Sequence, residues 1–187
     1  MTRAWRLTLA IAGIVIAVAL IEAWMGRLPL GPDGRFGWLE TDIWSSEQSQ
    51  RVLDPYSASH VIHGFLFYGL LRLFAPRLSM GARLVASIAL EGGWEILENS
   101  PLIIDRYRAV TIAQGYVGDS ILNSVSDVAM AAMGFLLAWR LPVKVSVLLI
   151  IVTELVMLVA YRDNLTLNIL MLAVPIEAIR TWQMEGP

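Results

Sequence analysis

A chain of 187 residues that is 57% hydrophobic and 16% charged departs from a soluble domain, in which about a quarter of residues are charged, and it points to a membrane as its solvent. The absence of cysteine excludes a disulfide framework, a thiolate metal site and a thiol nucleophile. A net charge of -2, with Lys144 the single lysine against thirteen arginines, leaves no basic surplus to hold nucleic acid, so the expected partners are membrane lipids and a small amphipathic or lipid-linked solute.

A hydrocarbon core about 30 Å thick takes about 20 apolar residues per helix, so this length predicts an all-α fold. The expected architecture is a polytopic transmembrane helix bundle of about six spans, forming one integral membrane domain over residues 1–187. The first span, 7–24, follows Arg3 and Arg6 and carries Glu22 near its far end. Its apolar stretch outlasts a signal-peptide core and lacks a small-x-small cleavage site, so it reads as a retained anchor.

Residues 25–56 form an outer loop rich in Gly, Pro and acids, with Trp38 and Trp44 suited to the membrane interface. The second span, 57–75, ends in the turn PRLS; the third, 82–98, stops at Asn99, Ser100 and Pro101. A second outer loop, 99–118, leads to the fourth span, 119–139, whose first residue Asp119 suits a helix N-terminus. The fifth span is 143–161, and the turn Arg162, Asp163, Asn164 opens the sixth, 165–182.

Arg3, Arg6, Arg72, Arg77, Arg83, Arg140, Lys144 and Arg180 fall on one side, in or beside short loops with few acids. The positive-inside rule makes that side, and with it both termini, cytoplasmic, in a bacterial inner membrane. The two halves show no internal repeat and no matching broken helices, which argues against an inverted-repeat transporter.

Three polar stripes interrupt the apolar pattern. His60 and His63, three residues apart, share one face of the second span. Glu91, Glu95 and Glu98 share one sector of the third. Asp119, Asn123 and Asp127 climb about 12 Å up the fourth. All lie in the outer half of the expected bundle. A charge at the bilayer centre costs about 2.5–3.5 kcal/mol on insertion scales, so the stripes are expected to turn inward and meet.

Crowded carboxylates need protons, a metal or arginine, because desolvation and like charge both raise their pKa. Arg106 and Arg108, in DRYR, are the nearest arginines, and a guanidinium grips a carboxylate or anionic head group bidentately. The candidate catalytic residues are His60, His63, Glu91, Glu95 and Asp127. The candidate substrate-binding residues are Arg106, Arg108, Glu98, Asn99, Asp119 and Asn123.

The cofactor stays unspecified: His60, His63 and Glu95 are candidate metal ligands, but no HExxH motif is present. The bland reading makes the histidines interhelical hydrogen-bonding glue, and gives Glu154 and Glu177 the same role. The functional expectations are a membrane-embedded hydrolase or transferase acting on a lipid-linked or amphipathic envelope substrate, a proton- or metal-ion-coupled carrier, or a structural partner in an envelope complex.

The stretches SHVIHGFLFYGLLRLFAPRLS, EGGWEILENSPLIIDRYR, GYVGDSILNSVSD and RDNLTLN resemble a family of bacterial multi-pass inner-membrane proteins known as a domain of unknown function. The resemblance covers about 45–182 and implies an inner-membrane location and a matching polar set: His60, His63, Glu91, Glu95, Glu98, Asn99, Arg106, Arg108, Asp119, Asn123 and Asp127. It implies no activity. Members tend to carry a cysteine-containing segment in the first outer loop, where this chain has GPDGRFGWLETDIW. A looser likeness, of topology alone, runs to the VanZ-like teicoplanin-resistance proteins.

Overall fold

The structure, a computed structural model, describes residues 2–185. Among them the chain forms eight α-helices and no strand: α1 (Arg3–Trp24), α2 (Ser57–Phe74), α3 (Met80–Glu98), α4 (Pro101–Val110), α5 (Ile121–Arg140), α6 (Val143–Tyr161), α7 (Leu165–Ala173) and α8 (Glu177–Met184). The fold is all-α, as its composition predicts. Three stretches, Ala4–Trp24, Ile121–Arg140 and Val143–Tyr161, are long and apolar enough to cross a membrane. Helices α2 and α3, with 18 and 19 residues, reach about 27–29 Å, but their polar stripes lower their apolarity.

Short polar side chains start most of these helices by accepting a bond from an otherwise orphaned first-turn amide. Ser79 caps α3, Ser100 caps α4 ahead of Pro101, and Asn164 caps α7. At α5 the cap is Ser120, which accepts from the Asn123 amide, and not the expected Asp119. That shift of one residue leaves the Asp119 carboxylate available for other partners.

Helix α2 lies along α5 at a glycine crossing. A methyl group on Gly64 would overlap the Ala131 carbonyl and the Phe135 amide, and one on Gly134 would overlap the Val61 carbonyl. Only hydrogen at these positions lets the two backbones touch. Helix α1 packs on α3 where Gly92 meets Val18. Along α6, Leu148, Val152, Leu155 and Val159 remain exposed, an apolar face of the kind that marks a partner or membrane contact.

Two segments differ from the sequence reading. The expected loop 99–118 contains α4. The expected sixth span, 165–182, is a hairpin of two short helices, because Pro175 has no amide to continue the ladder and holds Val174 extended. After that break the chain returns: the Gln183 side-chain amide donates to the Arg162 carbonyl at 3.0 Å and to Asp163 Oδ1 at 3.0 Å, and Arg162 donates to the Trp182 carbonyl.

This return decides where the C-terminal end lies. Leu7 near the start of α1 touches Gly81 at the start of α3, whereas Tyr56, just before α2, donates to Asp163 just after α6. Helices α1, α3 and α6 therefore end at the pole where α2 and α5 begin. The close of α8 sits at that same pole, opposite the start of α1, which does not support the expectation of both termini on one side.

Candidate functional site

The histidine stripe and the glutamate stripe face each other across the α2–α3 contact. His60 Nδ1 lies 2.6 Å from Glu91 Oε1, and His63 Nδ1 reaches both Glu91 oxygens at 3.1 Å. Glu95 Oε1 lies 3.3 Å from His60 Nδ1, and on the other side of the ring Asp127 Oδ2 of α5 lies 3.8 Å from His60 Nε2. Glu91 and Glu95 are fully buried and His60 and Asp127 nearly so.

Burial makes the pairing consequential, because a carboxylate taken out of water must regain its lost hydrogen bonds inside the protein. Glu91 does so through two imidazoles. Glu95 does not: neither of its oxygens has a hydrogen-bond partner, and Asp127 Oδ1 has none either. Two groups of side chains present ligand atoms within 4.8 Å of one another, His60 with His63 and Glu91, and His60 with Glu95 and Glu98. Those residues could hold a metal ion.

The remaining expected binders form a separate brace. Asn99 Oδ1 accepts from the Asp119 amide at 2.7 Å while Asn99 Nδ2 donates to Asp119 Oδ2 at 2.8 Å; Tyr116 donates to Asp119 Oδ1 at 2.9 Å. Gly118 makes this possible with φ +88°, a conformation that favours glycine. Asn123 donates to the Arg51 carbonyl at 2.9 Å and thereby pins the first outer segment to α5. The amides of Asn99 and Asn123 are thus spent on structure.

Arg106 and Arg108 do not reach the cluster. Arg106 donates through Nε and a terminal nitrogen to the Leu172 carbonyl, at 3.0 and 2.8 Å. Arg108 donates to the Tyr116 carbonyl and lies 3.8 Å from the exposed Asp105. Of the three remedies for crowded carboxylates, arginine is absent here and the two imidazoles supply the nearest cationic capacity.

Above the cluster opens a cavity of about 760 Å³, within the size range of small-molecule sites. His60, His63, Glu98, Asp119 and Asp127 give it a polar floor, and Leu66, Leu70, Leu90, Trp94 and Leu97 give it an apolar wall. Several lining residues escape the sequence reading: Trp44 and Asp54 from the first outer segment, and the tyrosines Tyr56, Tyr107 and Tyr116. Their spacing was a usable signal, since Tyr56 precedes His60 by four residues and Tyr116 precedes Asp119 by three.

Away from the floor, burial pushes up the Asp54 carboxyl, and it lifts Asp163 to about 6 against hydrogen bonds from Tyr56, Asn168 and Gln183. Glu154, expected as isolated polar glue, accepts from the Leu165 and Thr166 amides at 3.1 and 3.0 Å and so helps start α7. Glu177 pairs with Arg180 at 3.9 Å.

This polar set falls inside the part of the chain that matches a known family model: residues 22–185 match the model described as "Protein of unknown function (DUF2585)". The chain belongs to that family. It is 51% identical over 178 residues to a "UPF0314 protein" of Sphingopyxis alaskensis, covering 95% of each chain. It is 52% identical over 184 residues to a "UPF0314 protein" of Novosphingobium aromaticivorans, covering 96% of this chain and 93% of that one. No solved structure matches.

Proposed function

We propose that this family member is a multi-pass protein of the bacterial inner membrane that hydrolyses, or transfers a group from, an amphipathic or lipid-linked envelope substrate held in the 760 Å³ cavity. The observation that carries the reading is the pairing of an acid-base floor, in which His60 is backed at 3.3 Å by the buried, unpartnered Glu95, with a wall of leucine and tryptophan. Buried ionisable groups that converge on a cavity are costly to keep for packing alone.

The expected orientation places α1, α2, α3, α5 and α6 across the bilayer, with the α7–α8 hairpin and α4 at the outer side. None of the sixteen acids lies in the short links from α2 to α3 or α5 to α6, whereas Arg77, Arg140 and neighbouring Arg72, Arg83 and Lys144 cluster there. That asymmetry favours those links being cytoplasmic. The cavity then opens toward the outer leaflet, and the close of α8 is outside.

Within this reading His60, backed by Glu95, removes a proton from water or an acceptor hydroxyl, and protonated Asp127 gives its proton to the leaving group. With both arginines of DRYR engaged elsewhere, the floor is rich in acceptors and suits a polar end that donates hydrogen bonds, through hydroxyl or amine groups, better than a bare anion. The bundle below the floor is filled by Phe135 and Ala131, both fully buried, and by the Gly64–Gly134 crossing. A pocket closed at its inner end favours turnover or binding over passage of an ion.

Purification in native-lipid discs followed by lipid mass spectrometry tests the reading. An amphiphile should be enriched over bulk membrane lipid and should be lost from Leu66→Trp, which fills the cavity wall. It should accumulate in Glu95→Gln, which keeps the shape and removes the charge that backs His60. Equal lipid profiles for all three proteins refute the proposal.

A further inference from the structure

We propose that Nδ1 of His60, Nδ1 of His63 and the Glu91 carboxylate bind one divalent transition-metal ion, with the Glu95 carboxylate beside His60 to balance its charge and zinc as the fitting probe. The argument starts from helix periodicity. His60 and His63 lie three apart on α2, and Glu91 and Glu95 four apart on α3, so each helix offers two donors on one face, and the two faces meet.

The distances suit an ion. Ligands about 2.0–2.1 Å from a tetrahedral zinc lie about 3.3 Å from one another. Here His60 Nδ1 is 3.3 Å from Glu95 Oε1 and 2.6 Å from Glu91 Oε1, and His63 Nδ1 is 3.1 Å from Glu91 Oε1. Two imidazoles with carboxylate oxygen are a recognised zinc set.

A purely hydrogen-bonded cluster explains half of this arrangement. It satisfies Glu91, which accepts a hydrogen bond from each imidazole, but it leaves fully buried Glu95, 3.3 Å from His60 Nδ1, without a single donor. An ion accounts for both carboxylates at once: two negative charges balance a divalent cation, and both Nδ1 atoms become lone-pair donors. His60 then has Nε2–H free to face Asp127 Oδ2 at 3.8 Å, the outer-shell carboxylate that commonly orients a metal-bound imidazole. Both histidines line the cavity, so the ion is reachable from it.

This rests on the substrate reading of the same cluster and, with the ion bound, turns His60 from proton acceptor into ligand; its test needs no turnover. The full-length protein, purified in native-lipid discs, is stripped with chelator, dialysed against zinc sulfate or manganese chloride, and assayed by elemental mass spectrometry and by thermal unfolding with and without zinc. The expected result is about one zinc per chain and a higher unfolding midpoint with zinc, as a ligand that binds only the folded state requires.

His63→Ala should lose the ion. Asp127→Asn, which preserves shape and stays folded if His63→Ala does not, should weaken zinc affinity by about 10- to 100-fold. Wild type that takes up no zinc, or variants that load as fully as wild type, overturn the site. Zinc loading without any enriched amphiphile would leave the metal site standing and refute the substrate reading; the converse would do the reverse.

Discussion

Substituting Gly64 by alanine isolates the contact that brings the histidines to the carboxylates. In an ordinary helix interior Gly→Ala stabilises by about 0.5–1 kcal/mol, because alanine loses less backbone freedom. Gly69, five residues on, has open space within 4 Å of the point its Cβ would occupy, so Gly69→Ala should show that gain. At Gly64 the same methyl overlaps two backbone groups of α5, which cannot swing aside as a side-chain tip can. Overpacking of this kind costs about 1–3 kcal/mol, and rigid backbone on the far side puts Gly64→Ala at the upper end. For a chain of this size about 3 kcal/mol lowers the unfolding midpoint by roughly 6–12 °C. Tryptophan-monitored thermal unfolding in detergent reads both variants side by side. Displacing α2 from α5 also moves His60 away from Asp127, so Gly64→Ala should bind zinc more weakly while Gly69→Ala should not. Equal midpoints for the two alanine variants would show that the helices do not touch there and would refute the packing argument.

The hairpin of α7 and α8 predicts that an alkaline phosphatase reporter fused after Glu185 is active, as on the outer side, while one inserted after Pro76 is not; an inactive C-terminal fusion restores a sixth span. Asp163, raised from 3.8 to about 6, favours the folded state in its protonated form, so its contribution is fully present below about pH 3.8 and is lost as pH rises through 6. Asp163→Asn should therefore flatten the fall in stability between pH 4 and pH 7, an effect on the order of 3 kcal/mol at most, measured by unfolding midpoints across that range. Arg106→Ala strands the Leu172 carbonyl and should cost about 1.5–3 kcal/mol, with zinc content unchanged; loss of the ion would place Arg106 at the floor after all.

What the sequence disclosed and what it hid have separate physical causes. The stripes were legible because helical periodicity is local: three- and four-residue spacings put His60 beside His63 and Glu91 beside Glu95 whatever the rest of the chain does, and the cost of charge in hydrocarbon turns such faces inward. The outer loop was less legible, since Trp44, Asp54 and Tyr56 reach the cavity only through long-range ties such as the Ser120 amide to the Ser49 carbonyl at 3.0 Å. The sixth span misled for a third reason. Membrane helices tolerate proline when neighbours re-satisfy the freed backbone, so hydropathy reads straight through Pro175. Here the break is completed: α7 ends, its last carbonyls lose their intrahelical donors, and Arg106 supplies two to Leu172. The same event thus breaks the helix expected as the sixth span and commits an arginine outside the candidate site. With that guanidinium committed to a helix end, the charge of the buried carboxylates falls to protons, to the two imidazoles or to a cation, and the unpartnered Glu95 is where those alternatives diverge.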